Sequence, residues 1–116
     1  MPIKTQDLIS EAEASLNHNT ECGYRACISR SYYAVYHELL PKAECAGFDT
    51  TAPSSHVRLV DFVKSRKKWL STRLNDLRKS RVVADYHMDA IIAPLQAKSV
   101  VEESKRLIAS IQKLSF

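Results

Sequence analysis

Glycine occurs only twice in the 116 residues, at Gly23 and Gly47, and proline four times. Tight turns lean on these two residues, because glycine enters positive φ without strain and proline presets the turn dihedral. A sandwich or barrel of many short strands would need such a signal every few residues, so the chain is directed away from an all-β fold. Between the few breaks, apolar residues recur at spacings of three and four, the period of a helix lying on a core.

Leu8, Ile9, Ala12 and Leu16 follow this spacing and predict a helix from Thr5 to about Leu16. Thr5 is placed to cap it, and Asp7 suits the positive end of its dipole. Asn17-His18-Asn19-Thr20 interrupts the pattern. A second helix is expected from about Glu21 to Cys45, kinked or ended in its regular part by Pro41 and stopped by Gly47. Residues 48–54 read as a loop. Ser54 or Ser55 then caps a third helix from His56, with Leu59, Val60, Phe62 and Val63 apolar. After a break around residues 65–68, Trp69, Leu70, Leu74 and Leu77 restore helical spacing towards Val83 and Ala84. The last helix is expected from near Pro94, a favourable first-turn proline, to about Lys113. Leu95, Val100 or Val101, Leu107, Ile108 and Ile111 form its apolar face. No internal repeat or linker divides residues 1–116. The reading is a single all-α domain, an up-and-down bundle of four or five helices.

With 45% hydrophobic residues, a chain of this length buries roughly two-thirds of its unfolded surface and needs no staple. No apolar run approaches the roughly 18 residues that span a bilayer. The opening Met1-Pro2-Ile3-Lys4-Thr5-Gln6-Asp7 lacks a signal peptide's apolar stretch, so a cytoplasmic chain is expected. Cys22, Cys27 and Cys45 form no CxxC pair, and their odd number argues for reduced thiols, small half-buried helix residues. His18, His37, His56 and His87 are scattered without metal-ligand spacing, so neither a metal nor a cofactor is expected.

The net charge of +4 is unevenly spread. Residues 56–81 hold nine basic side chains, Arg58, Lys64, Arg66, Lys67, Lys68, Arg73, Arg78, Lys79 and Arg81, against Asp61 and Asp76, hence +7; the remainder, eight basic against eleven acidic, carries −3. A solvated helix face would explain such a cluster as well as a polyanion would. RNA is nonetheless the candidate partner, with Lys64, Arg66, Lys67, Lys68, Arg73, Arg78 and Lys79 as candidate phosphate contacts. The aromatic residues do not resemble a base-stacking platform, and no sequence-specific readout is expected.

Two constellations suggest chemistry. In Arg30-Ser31-Tyr32-Tyr33-Ala34-Val35-Tyr36-His37, Arg30 and His37 are separated by about 700° of helix, close to two full turns, with Tyr33 between them on one stripe about 10 Å long. A tyrosine-rich helix is often only core, but an arginine is costly there without a carboxylate or phosphate. In Arg81-Val82-Val83-Ala84-Asp85-Tyr86-His87, arginine and histidine lie about 600° apart on an unbroken helix. They could converge only if the helix ends near Tyr86 or if each faces a second subunit. The plainer reading is a charged helix end with Asp85 paired to an arginine. Histidine titrates near neutrality and can take a 2′-hydroxyl proton. Arginine's fixed fork can hold the charge growing on a phosphorane. Together they could cleave RNA to a 2′,3′-cyclic phosphate and spare DNA.

Two stretches resemble the HEPN superfamily (higher eukaryotes and prokaryotes nucleotide-binding domains): residues 23–37, with Tyr32-Tyr33-Ala34-Val35-Tyr36-His37, and residues 77–86, with Arg81-Val82-Val83-Ala84-Asp85-Tyr86. With the helix lengths, the resemblance spans about residues 5–113. It implies a four- or five-helix bundle that dimerises with polar motif residues at the subunit junction. Many members of that superfamily are metal-independent endoribonucleases of toxin–antitoxin, phage-defence or CRISPR systems. Their signature is an arginine, four to six residues, then a histidine. Arg81 and His87 fit it; Arg30 and His37 fit numerically but lie in a helix that does not usually carry it. The resemblance thus assigns catalysis to Arg81 and His87, with Arg30, Tyr33, His37, Asp85 and Tyr86 in support. Val82 stands where nuclease members commonly carry a polar residue. The alternative it implies is a non-catalytic nucleotide-binding or scaffold subunit that partners a nucleotidyltransferase antitoxin or a larger effector.

Overall fold

Tyr32, Val35, Leu39 and Ala43 recur at three and four residues, and all are fully buried, so one long helix forms the spine of the molecule. The computed structural model describes residues 3–116. It contains α1 (Thr5–Leu16), α2 (Glu21–Cys45), α3 (Ser55–Lys64), α4 (Lys68–Tyr86) and α5 (Pro94–Gln112), with no strand among the described residues. The fold is an all-α bundle of five helices. Every other helix packs against α2.

Paired residues give the directions. Arg25 meets Ala84 and His87 while Ser29 meets Asp85, so α4 runs antiparallel to α2. Cys27 lies against Ala97 and Lys42 against Leu114, so α5 runs parallel to it. The larger core joins Tyr32, Leu39, Leu59, Leu70, Leu74, Leu107 and Ile111, from α2, α3, α4 and α5. A smaller one joins Ala12, Cys27, Ile28, Ala84, Ala97 and Val101 near the start of α2.

Local chemistry sets the boundaries. Asp7 caps α1, its Oδ2 accepting from the Lys4 backbone N–H at 2.8 Å, where Thr5 was expected to cap. Thr20 caps α2, its hydroxyl accepting from Gly23 N–H at 3.0 Å. Gly23 serves close approach: a Cβ there would lie 2.4 Å from the Ser15 carbonyl oxygen. Gly47 ends the α2 segment at φ +104°. Pro41 does not end α2, which continues to Cys45. The proline removes one N–H near an exposed helix end, where the carbonyl of exposed His37 can turn to water. Ser54 precedes α3 in a left-handed conformation and makes no side-chain cap.

Two other expectations change. Cys27 is buried, but Cys22 and Cys45 are exposed rather than half-buried. Leu95 is 78% exposed; the expected Val101, Leu107 and Ile111 do face inward, joined by Ala97. No helix among the described residues is long and apolar enough to cross a membrane.

Candidate functional site

Arg81 reaches the α2–α4 contact from the inner face of α4. Only 8% of the residue is exposed. Its guanidinium carbon lies 5.4, 5.6 and 5.9 Å from the ring centroids of Tyr32, Tyr33 and Tyr86, within cation–π range. Asp85, one turn along α4, places Oδ2 3.6 Å from Nη1. That separation gives Coulombic attraction but exceeds the usual N–H···O hydrogen bond. The buried Nε has no hydrogen-bond partner. Asp85 is held in turn by the Ser29 hydroxyl, which donates to Oδ2 at 3.4 Å. Arg81 is therefore enclosed by aromatic rings and only partly neutralised.

His87 occupies the position after the last turn of α4, so the helix ends where the spacing of Arg81 and His87 required. The two residues nonetheless part company: the His87 ring is exposed, and Tyr86 beside it is 69% exposed. The His87 backbone, by contrast, is tied down by Arg25. Nη1 of Arg25 donates to the carbonyls of Val83 at 3.3 Å, Ala84 at 3.0 Å and His87 at 3.0 Å, and Nη2 to the carbonyl of Ala90. Glu21 pairs with Arg25 at 3.3 Å and accepts the Ile92 N–H at 3.1 Å. A cation from α2 thus adds a donor to the carbonyls at the negative end of α4 and fixes the path of residues 87–92.

A second histidine shares two tyrosine neighbours, Tyr32 and Tyr33, with the buried arginine. His56, in the first turn of α3, puts Nδ1 2.7 Å from the Tyr32 hydroxyl. Its ring lies 5.5, 5.8 and 4.3 Å from the centroids of Tyr32, Tyr33 and Tyr36. Partial burial lowers its pKa below the usual 6.5, helped by the charges of Arg81, His37 and Arg78. Burial pushes the Tyr32 hydroxyl well above its ordinary range, against the opposing pull of Arg81. The Tyr36 hydroxyl donates to Ser55 Oγ at 3.1 Å and tightens the same seam.

The stripe on α2 is partly realised. Tyr33 and His37 stack at 6.2 Å, and Tyr33 touches the Arg81 cluster, whereas Arg30 is exposed. The basic residues form no single uninterrupted face. Arg66 lies over the Phe62 ring at 3.9 Å, Arg73 pairs with Glu103 at 3.6 Å, and Arg78 donates to Asn75 at 3.0 Å. Arg58 spends its guanidinium on the carbonyls of Asp49, Ala52 and Pro53. Lys64, Lys68 and Lys79 line a groove of about 370 Å³ between α3 and α4, with Asp61 and Asp76 also in its wall. Lys67 sits at the α3–α4 break.

Sequence reasoning missed Arg25 and the proximity of His56 to Arg81. The spacing of Glu21 and Arg25 is a readable i,i+4 pair, but its target lies about sixty residues away. No local signal marks His56. Compared with protein-family models, curated proteins and solved structures, the chain shows no match.

Proposed function

We propose that this chain is a small HEPN-type protein that binds RNA and cleaves it without a metal, with Arg81 holding the scissile phosphate. The observation that carries this reading is the incomplete satisfaction of Arg81, a buried arginine whose Nε has no protein acceptor and whose carboxylate partner stands off at 3.6 Å. Buried donors are normally paired, and an arginine fork matches a phosphate better than any other common oxyanion carrier except a carboxylate. The fork would stabilise charge growing on the phosphorane, while a histidine takes the 2′-hydroxyl proton. The resemblance assigns that histidine to His87, supplied at a twofold junction. Exposed Tyr86, Met88, Ile91 and Leu95 around His87 support a contact between two copies there. A toxin or phage-defence setting follows from the resemblance alone.

One observation favours the alternative, a non-catalytic scaffold or nucleotide-binding subunit of a nucleotidyltransferase or larger effector. Within one chain Arg81 is closed over by Asp85 and three tyrosine rings, and the exposed His87 ring is not brought to it. Incubation with total and transfer RNA in EDTA, beside Arg81→Ala and Arg81→Ala/His87→Ala, separates the readings. Cleavage by the unaltered protein only, leaving cyclic-phosphate ends, is the expected result. Intact RNA in every lane, with folded protein, would move the assignment to the scaffold.

A further inference from the structure

We infer that the phosphate held at Arg81 is met from α3, by the imidazole of His56. The inference deepens the proposed ribonuclease reading and rests on it for the catalytic step, but the contact can be tested without cleavage. Arg81 and His56 share Tyr32: the guanidinium carbon lies 5.4 Å from its ring, and the His56 Nδ1 lies 2.7 Å from its hydroxyl. Tyr33 also borders both groups, at 5.6 and 5.8 Å. The buried Nε of Arg81 is a donor with no protein partner. The first turn of α3, which carries His56, has neither an acidic residue nor a side-chain cap, so its N–H groups and dipole also favour an anion.

The groups facing His56 are Tyr32, Tyr33, Tyr36 and His37 from α2 and Arg78 and Arg81 from α4; none is acidic. Two arginines beside an imidazole disfavour its protonation, and a phosphodiester between them removes that penalty. The ring therefore takes up a proton less readily in the free protein and gains basicity when the anion arrives. In the tautomer whose Nδ1–H donates to the Tyr32 oxygen, Nε2 carries the lone pair. The 2′-hydroxyl proton passes to Nε2, so that His56 takes the role of base in place of His87; the 2′-oxygen–phosphorus bond forms and the phosphorus–5′-oxygen bond breaks. The departing 5′-oxygen takes a proton from water, and the imidazolium returns its own to the hydroxide left behind.

The test follows the four imidazoles by NMR across pH, with and without an uncleavable 2′-deoxy dinucleotide, in the full chain. The His56 midpoint, below 6.5 in the free protein, is expected to rise by about one pH unit with the dinucleotide, and Arg81→Gln is expected to remove the rise. A His56 midpoint that ignores a bound dinucleotide, or no dinucleotide binding at all, would overturn the inference. In the cleavage assay, His56→Gln is expected to lose about 100-fold or more in kcat/KM, with His18→Gln as control. Thermal unfolding would confirm that the variant folds. Full activity in His56→Gln alongside loss in His87→Gln would overturn the inference while leaving the ribonuclease reading intact. Absence of cleavage by the unaltered protein would sink that reading alone, and the NMR result would still decide whether His56 meets the phosphate.

Discussion

Arg81 is enclosed more completely than its charge is satisfied. An unmet buried donor costs about 1–3 kcal/mol, more where the group is charged. Three aromatic faces offset part of that cost and Asp85 a further part, yet neither supplies an acceptor to Nε. His56 responds to the same surroundings with the opposite sign, because it can shed its proton and arginine cannot. Its lowered pKa means that the unfolded chain binds a proton more readily than the folded one. Stability contributed by neutral His56 is thus present above about pH 6.5 and is lost as the pH falls through that value towards the lower folded midpoint. Urea midpoints between pH 7.5 and 5 are expected to fall, with a smaller fall in His56→Gln; an unchanged slope in that variant would remove His56 as the cause.

Among the elements, α2 carries the organisation. It contributes the capping Thr20, the close approach at Gly23, the aromatic stripe, and the arginine that terminates α4. Arg25 acts across the bundle as a C-cap, with one guanidinium gathering four carbonyls from residues 83–90. Its replacement by alanine removes the donor shared by those carbonyls and the cation paired with Glu21, which keeps only the Ile92 N–H. Arg25→Ala is expected to lower stability by about 2–3 kcal/mol in urea unfolding. Amide exchange is expected to accelerate over residues 84–92 more than in α1. Uniform acceleration would show that Arg25 supports the whole core rather than the end of α4. Pro41 illustrates the converse: near an exposed helix end, one missing N–H is too small a defect to overcome the burial of Leu39 and Ala43 on either side.

At the scale of the molecule, the +7 of residues 56–81 does not become +7 of free surface charge. Arg58 holds a loop, Arg73 faces Glu103, and Arg81 is inside. Lys64, Lys68 and Lys79 remain along the α3–α4 groove. If that groove tracks an RNA backbone, log K measured by fluorescence anisotropy should fall linearly with log salt as counterions are released. Alanine at all three lysines is expected to reduce the slope by about two, since each neutralised phosphate of a single strand contributes about 0.7. A slope shared by the triple variant would remove the groove from the interface.

Helix content, the breaks near residues 17–20, 48–54 and 65–68, and a helix end near Tyr86 were legible in the sequence, because spacing, caps and glycine act over a few residues. Thr5 and Leu95 were misjudged on the same local evidence: capping depends on which side chain reaches the free N–H, and an apolar residue in a first turn need not face the core. The candidate site was legible only in part. Arg81 and its partner Asp85 stand one turn apart, so their pairing follows from helix geometry alone. That Arg81 packs against Tyr32, Tyr33 and Tyr86, that His56 meets the same Tyr32 while His87 stays exposed, and that Arg25 closes α4 were decided by the antiparallel packing of α2 on α4 and the placement of α3 across them. Local sequence specifies which residues share a helix face; only the docking of faces, driven by burial of the common core, determines which groups separated by tens of residues share a charge environment.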